Sequence, residues 1–193
     1  MFKLALENRS TIHQIIRLQD LINTYLNSRG LTVEVFLDFK KALDMLWHKG
    51  LLIRLKILDI NGKVFDFITN FLTDRTMQVR VEETLWKIYK LENGSPQGSI
   101  LSPLLFLIMI NDTPKELFDV ESSLFADDSA IFKSGKNLTY ISTIIQTNSN
   151  KISEWCDQWG FKISTDKPVC VVFTRKRIKL KNPLMINGKN NKI

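Results

Sequence analysis

The stretch Ser122-Ser123-Leu124-Phe125-Ala126-Asp127-Asp128-Ser129-Ala130-Ile131-Phe132 places two adjacent acids between two short apolar runs. This pattern predicts two β-strands joined by a tight turn, with Asp127 and Asp128 at its tip. Because Asp is common in turns, a solvated hairpin tip is the plain interpretation of this stretch alone. Adjacent carboxylates repel each other, however, so a fold that directs both into one site needs a cation. A hard divalent ion with oxygen ligands, such as Mg²⁺, is the usual solution.

The composition indicates a folded protein, and the net charge favours an anionic partner. The chain has 193 residues, of which 44% are hydrophobic and 24% charged, enough for one globular domain or for a domain and part of its neighbour. The formal net charge of +7 favours nucleic acid as a partner, although many soluble proteins are mildly basic. Cys156 and Cys170 are far apart in the sequence, and no His or Cys stands near them at metal spacing, which indicates neither a disulfide framework nor a zinc site. We expect a soluble, intracellular protein without membrane contact, in the cytoplasm, the nucleus or both.

A third acid, Asp38, follows a β-rich run at residues 32–37. Helical spacing after it predicts a helix that begins at once, on the apolar positions Ala42, Leu43, Leu46 and Trp47. Asp38 would then lie where a strand gives way to a helix. On that position alone, an N-cap is a more natural interpretation than a metal ligand.

The remaining segments mix helices with antiparallel strands. Periodicity predicts helices at residues 12–26, 51–58, 64–72, 101–110 and 138–159, and strands at 161–164 and 170–173. Helix 101–110 is apolar on nearly all sides, so it should be buried against the sheet. Residues 77–91 alternate as a hairpin with one polar face, in which Trp86 is interpreted as packing rather than as a base-stacking platform. This mixture indicates an α+β fold.

Two polar segments carry candidate binding residues. Asn93-Gly94-Ser95-Pro96-Gln97-Gly98-Ser99 is a loop by composition and leads directly into helix 101–110. Near the end of the chain, solvation and contact with phosphates are both open interpretations of a basic run, formed by Arg175, Lys176, Arg177, Lys179 and Lys181.

Five stretches in the same order resemble one family. Residues 36–48 resemble "FLDFKKAFDxxWH", residues 94–112 resemble "GxPQGSxLSPLLFLIxIND", and residues 124–132 resemble "LFADDxAIF". Residues 155–177 resemble "WCxxWGFKIS…K…VFTRKR", and Arg9-Ser10-Thr11 resembles an upstream "RST" element. Together they resemble the palm of reverse transcriptases encoded by non-LTR retrotransposons of the jockey group, roughly from Arg9 to Arg177.

The resemblance implies a right-hand polymerase palm, an antiparallel sheet backed by helices, with partial fingers. Residues 1–30 would be partial fingers with an N-terminal helix, 31–177 the palm with inserted fingers-side helices and a hairpin, and 178–193 the truncated start of the following segment. The implied activity is RNA-directed DNA synthesis by two-metal phosphoryl transfer. It implies two Mg²⁺ ions, with Mn²⁺ as a possible substitute, and an RNA template, a DNA primer and deoxynucleoside triphosphates as partners.

The resemblance also assigns catalytic roles. Asp38 and Asp127 would bind both metals, Asp128 would shape the same site as a less direct ligand, and the backbone carbonyl of Phe39 would complete the metal ligands. Lys167 corresponds to a lysine near the leaving pyrophosphate. A plain turn lysine is the alternative interpretation at that position.

Nucleotide and primer contacts follow in the same way. Gln97 and Gly98 would lie against the incoming nucleotide, with Arg9 also assigned to nucleotide binding. Leu43 occupies the position where the family usually has an aromatic residue that blocks a ribose 2′-hydroxyl. This departure implies weaker discrimination against ribonucleotides, unless Leu43 is simply a core leucine. Contact with primer and template is assigned to Phe173, Arg175, Lys176 and Arg177.

Other departures keep alternatives open. Ala5-Leu6 replaces the Phe-Arg that the family shows upstream, and neither a full fingers region, a helical thumb nor an endonuclease is expected within this chain. A truncated, non-catalytic relic that at most binds nucleic acid is therefore the second hypothesis. An RNA-dependent RNA polymerase is a third hypothesis. The sequences Pro96-Gln97-Gly98 and Ala126-Asp127-Asp128 argue against it.

Overall fold

The computed structural model describes residues 11–125, 128–164, 169–177, 185–186 and 189–190. The chain forms two compact units, residues 1–40 with 111–193 and residues 41–110. Its helices, in chain order, are α1 (Thr11–Asn27), α2 (His48–Ile57), α3 (Gly62–Leu72), α4 (Leu101–Ile110) and α5 (Leu138–Trp159). Its strands are β1 (Leu31–Asp38), β2 (Thr76–Met77), β3 (Arg80–Val81), β4 (Thr84–Leu85), β5 (Tyr89–Lys90), β6 (Glu121–Phe125), β7 (Asp128–Gly135), β8 (Val169–Thr174), β9 (Met185–Ile186) and β10 (Lys189–Asn190).

The first unit is built on a four-stranded antiparallel sheet in the order β6-β7-β1-β8. Strand β1 lies inside the sheet, with β7 on one side and β8 on the other. Its alternate apolar residues Leu31, Val33, Val35 and Leu37 are at most 2% exposed. The period of two along β1 thus gives one fully buried face of the sheet.

Helix α5 packs on this sheet, with contacts to β7 and β1. Asn137 caps its first turn by accepting a hydrogen bond from Tyr140 N at 3.1 Å, and Gly160 ends it in the left-handed conformation at φ 76°. Its buried stripe repeats at helical spacing through Ile141, Ile145 and Ile152. The predicted amphipathic helix 138–159 is confirmed.

Both cysteines belong to this core. Cys156 of α5 and Cys170 of β8 are buried and free. Burial raises the pKa of Cys156 to about 12 and that of Cys170 to about 11, so both thiols stay protonated at neutral pH.

The second unit contains α2, α3, α4 and a hairpin. Strand β2 pairs with β5, and β3 pairs with β4, so the predicted hairpin between residues 77 and 91 is confirmed. Register places the polar residues Thr76, Gln78 and Arg80 on one side of its first half and Met77, Val79 and Val81 on the other. Helix α4 contacts α2 and buries six of its ten residues.

The prediction of a helix directly after Asp38 is wrong. Residues 40–45 form turns instead, and the helix begins only at His48. Lys41 has φ 49°, a left-handed conformation that cannot continue a right-handed helix. The carbonyls of Leu43 and Leu46 accept hydrogen bonds from Ser95 N and Gly94 N, which come from a loop about fifty residues away. These two carbonyls therefore bond to N–H groups of a distant loop instead of to N–H groups one helical turn later in the chain.

The other predicted elements are confirmed within a few residues of their boundaries. Helices at 12–26, 51–58, 64–72 and 101–110 correspond to α1 to α4, and the strand at 170–173 corresponds to β8. The segment predicted as a strand at 161–164 contributes only an isolated bridge, between Ile163 and Phe39. Within the described part of the chain, no helix has both the length and the apolar character needed to cross a bilayer.

Candidate active site

The acids of the sheet meet at one end of β1 and β7. Asp38 is the last residue of β1, and in the antiparallel register it stands directly opposite Asp128, the first residue of β7. Directly opposed residues of such a pair have Cα atoms about 4.5–5.5 Å apart. The structure describes the backbone of Asp128 only, and Asp127 lies outside the described residues. The strand register thus brings the backbones of Asp38 and Asp128 together.

Backbone hydrogen bonds fix the end of β1 on its other side. The carbonyl of Asp38 accepts from Ser164 N at 2.7 Å, and Lys40 N donates to the carbonyl of Lys162 at 2.8 Å. Between them, Phe39 forms an antiparallel bridge with Ile163. The segment after α5 thus extends the pairing one to two residues past the point where β1 ends.

An aromatic cluster packs against Phe39, the residue that follows Asp38. The Phe39 ring is 3% exposed and packs edge-on against Phe161, with centroids 5.9 Å apart. Phe161 stacks on Trp155 of α5 at 5.7 Å and an interplanar angle of 3°. Since close-packed aromatic side chains leave little freedom, the residue next to Asp38 is held in place by the core.

Glu34 lies four residues before Asp38 on β1, on the same face of the strand. It is 2% exposed, and burial raises its pKa to about 7. Its Oε2 has no hydrogen-bond partner among the described residues. Glu34 was not among the predicted site residues, although a single acid inside a mostly apolar strand run could have indicated it.

In the second unit, the loop before α4 is bonded to the turn that carries Leu43. Ser95 N donates to the Leu43 carbonyl at 2.9 Å, and Gly94 N donates to the Leu46 carbonyl at 2.8 Å. His48 Nε2 lies 2.6 Å from the Gly94 carbonyl oxygen. Leu43, assigned by resemblance to the sugar of the nucleotide, and the loop that carries Gln97 are therefore parts of one bonded substructure.

Gln97 and Gly98 are both exposed on this substructure. The Gln97 side chain donates from Nε2 to Oδ1 of Asp44 at 2.9 Å. Gly98 has φ 85°, which favours glycine, and a Cβ placed there would meet nothing within 4 Å. The loop thus presents an open backbone surface at Gly98.

The residues assigned to primer and template lie toward the other end of the sheet. Phe173 is half-buried in β8 opposite Thr32, and the exposed Arg175, Lys176 and Arg177 follow the end of β8. Because β8 runs antiparallel to β1, this position is about six residues, or on the order of 20 Å, along β1 from Asp38. Arg9 and Lys167 lie outside the described residues.

Carboxylate and carbonyl oxygens are the ligands that Mg²⁺ prefers, and Asp38 and Phe39 bring such groups to the end of β1, where Asp38 pairs with the backbone of Asp128. The described residues contain no group of three or more His, Cys, Asp or Glu placed to hold a metal ion. Asp127, which the resemblance assigns to the metals, lies outside the described residues.

An antiparallel sheet backed by a helix, with Asp38 opposite Asp128 at one end, is the arrangement expected of a nucleotide-polymerase palm. The sequence pattern of the family described as "Reverse transcriptase (RNA-dependent DNA polymerase)" matches residues 4–181. The chain belongs to this family.

Curated relatives come from mobile elements. The chain is 27% identical over 173 residues to the RNA-directed DNA polymerase from mobile element jockey of Drosophila melanogaster, covering 86% of this chain and 19% of that protein. It is 28% identical over 179 residues to the probable RNA-directed DNA polymerase from transposon BS of the same species, covering 89% of this chain and 20% of that protein. The chain thus spans about a fifth of the length of these relatives.

Two solved structures that share this fold are telomerases. Apo telomerase from Candida tropicalis, truncated from its C-terminal domain, superposes with a TM-score of 0.66 at 17% identity over 85% of this chain and 35% of that chain. Telomerase from Candida albicans in complex with a fragment of telomeric RNA gives a TM-score of 0.64 at 14% identity, over 89% of this chain and 31% of that chain. The expected α+β palm fold is confirmed.

Proposed function

We propose that this chain is the palm of an RNA-directed DNA polymerase, which adds deoxynucleotides to the 3′-hydroxyl of a DNA primer on an RNA template. The observation that carries the proposal is the register of β1 and β7, which sets Asp38 opposite Asp128 at one end of a polymerase-type sheet. Directly opposed positions place their Cβ atoms on the same face of a sheet. Two acids on one face are costly unless a cation neutralises them.

In this proposal, Asp38, Asp127 and Asp128 would hold two Mg²⁺ ions, for which Mn²⁺ could substitute, with the backbone carbonyl of Phe39 as a further ligand. When bound, such ions neutralise charge on the attacking and leaving oxygens of a phosphoryl transfer. The protein's own contribution is to hold the ligands of these ions in fixed positions. Asp38 is held by the packing of its neighbour Phe39 in the core and by the hydrogen bond from Ser164 N to the Asp38 carbonyl.

The second unit would bind the incoming deoxynucleoside triphosphate. Gly98 offers backbone that a ligand can approach closely, because no Cβ stands there. Gln97 would contact the nucleotide through its amide, and Leu43 would face the sugar. Arg9 would add a cation for the triphosphate. Lys167 would lie near the leaving pyrophosphate and protonate it.

The basic segment after β8 would contact the primer–template duplex. Its distance from Asp38 along the sheet, on the order of 20 Å, corresponds to about six nucleotides at 3.4 Å per step of one strand. Arg175, Lys176 and Arg177 would therefore contact backbone phosphates some way behind the growing end, with Phe173 beside them. Residues 31–177 would form the palm, with the unit at 41–110 inserted into it, between a partial fingers segment at 1–30 and the start of a following segment at 178–193.

Primer extension tests the proposal. The full chain, with a DNA primer on an RNA template, Mg²⁺ and deoxynucleotides, is compared with Asp38→Asn and with a matched control, Asp66→Asn, an exposed acid on α3. We expect extension by the parent and the control, and a loss of at least about a hundredfold in Asp38→Asn, since it removes charge where it is needed in the transition state. Equal rates for Asp38→Asn and the parent would refute the proposed site, and a preference for ribonucleoside triphosphates would favour an RNA polymerase instead.

A further inference from the structure

Asp44 is an acid that no role above uses. It lies in the turn between β1 and α2, one residue after Leu43 and six after Asp38. Its carboxylate is exposed, and its Oδ1 accepts a hydrogen bond from Nε2 of Gln97 at 2.9 Å, across 53 residues of sequence. The contact therefore joins the turn that carries Leu43 to the loop that carries Gln97.

The chemistry of the two side chains fixes the direction of this hydrogen bond. An ionised carboxylate can only accept, whereas a glutamine amide has one donating end and one accepting end. The NH₂ end of Gln97 must therefore face Asp44. Its carbonyl oxygen is then the end left to meet a ligand.

The surrounding backbone prevents the pair from separating easily. Ser95 N and Gly94 N bond to the carbonyls of Leu43 and Leu46, on either side of Asp44. Farther along the loop, Ser102 Oγ donates to the Pro96 carbonyl at 2.6 Å. A hydrogen bond held within such a frame costs less side-chain entropy than one between two free surface residues.

We propose that Asp44 is a positioning residue, which orients the Gln97 amide so that its carbonyl oxygen accepts a hydrogen bond from a donor group on the incoming nucleotide. This inference rests on the proposed function and deepens it. A triphosphate offers only acceptors at neutral pH, so an outward carbonyl oxygen beside a carboxylate would repel it. Gln97 is thereby assigned to the sugar hydroxyl or the base of the nucleotide rather than to its phosphates.

The first test reads the side-chain orientation without catalysis. In a ¹H–¹⁵N spectrum of the full chain, the Gln97 amide signal is identified by its loss in Gln97→Ala. We expect this signal to move in Asp44→Asn, because that variant removes the carboxylate that accepts from the Gln97 amide. The matched control is Asp59→Asn, since Asp59 Oδ1 accepts from the Asn61 amide at 2.6 Å in the same unit. A Gln97 signal that moves no more in Asp44→Asn than in Asp59→Asn overturns the proposed contact.

The second test reads the effect on the nucleotide. Asparagine at position 44 accepts or donates, so the Gln97 amide loses its fixed direction. We expect Asp44→Asn to raise KM for deoxynucleotides about threefold to tenfold, with kcat changed less than about twofold. The effect should disappear in a Gln97→Ala background, because the two changes remove one interaction. Asp59→Asn should match the parent.

The outcomes separate this inference from the function on which it rests. If the parent extends primers and Asp44→Asn has the KM of Asp59→Asn, the role of Asp44 is refuted while the polymerase assignment stands. If KM rises by the same factor in the presence and absence of Gln97, Asp44 acts by another route, and the inference is again refuted. If the parent extends no primer at all, the proposed function fails and the nucleotide role of Asp44 falls with it, while the amide signal still decides the contact.

Discussion

Glu34 gives the chain a pH-dependent stability that one substitution should abolish. Its carboxyl is 2% exposed on the central part of β1, and burial raises its pKa from 4.5 to about 7. Between these two values the folded chain holds a proton that the unfolded chain has released. The free energy of unfolding should therefore fall as pH rises from about 4.5 to 7, and stay at the lower level above that range.

The size of the effect follows from the shift. A difference of about 2.5 pKa units at about 1.36 kcal/mol per unit gives at most about 3 kcal/mol lost by pH 8. Glu34→Gln is nearly isosteric and cannot ionise. We expect it to match the parent near pH 4.5 and to be more stable by about 2–3 kcal/mol at pH 8.

Urea unfolding at several pH values between 4.5 and 8 measures this difference, by extrapolating the free energy of unfolding to zero denaturant. Glu154→Gln on the exposed side of α5 is the matched control, and its offset from the parent should stay constant with pH. Comparing variants cancels the other carboxyls, such as Asp119, whose pKa is lowered by hydrogen bonds from Lys133 and Tyr140. If the offset of Glu34→Gln also stays within about 0.5 kcal/mol across this range, the carboxyl is not desolvated and the reasoning is refuted.

Three further predictions concern the two units. Gly94→Ala should cost about 1–3 kcal/mol more stability in urea unfolding than Gly62→Ala, because both have positive φ but only at Gly94 would a Cβ meet backbone, the Asp44 carbonyl oxygen at 2.9 Å. Phe161→Ala should destabilise the chain by about 3–5 kcal/mol in the same assay, and a value under about 1 kcal/mol would show that the aromatic cluster does not anchor the end of β1. Leu43→Phe should raise selectivity for deoxynucleotides over ribonucleotides about tenfold or more in primer extension, and unchanged selectivity would return Leu43 to a packing role.

The sequence predicted those parts of the fold that local periodicity determines. The β-rich run at residues 32–37 predicted β1, and helical spacing predicted α5 up to residue 159. The register that sets Asp38 opposite Asp128 was expected only through resemblance, since strand pairing joins residues ninety positions apart.

Contacts between distant segments explain what the sequence did not predict. The helix expected after Asp38 is absent because Lys41 is left-handed and because Gly94 and Ser95 supply donors to that turn. The bond between Asp44 and Gln97 depends on the same long-range pairing. Likewise, the burial of Glu34 depends on what packs over β1, which the alternation of β1 alone does not reveal.

The central claim is that Asp38 of β1 and Asp127, which comes just before β7 in the sequence, form one polymerase site. The most direct measurement is Mg²⁺-dependent primer extension on an RNA template by the full chain and by its Asp127→Asn variant. The account predicts extension by the parent that chelation of Mg²⁺ abolishes, and none by the variant. Equal extension by both chains would contradict the account.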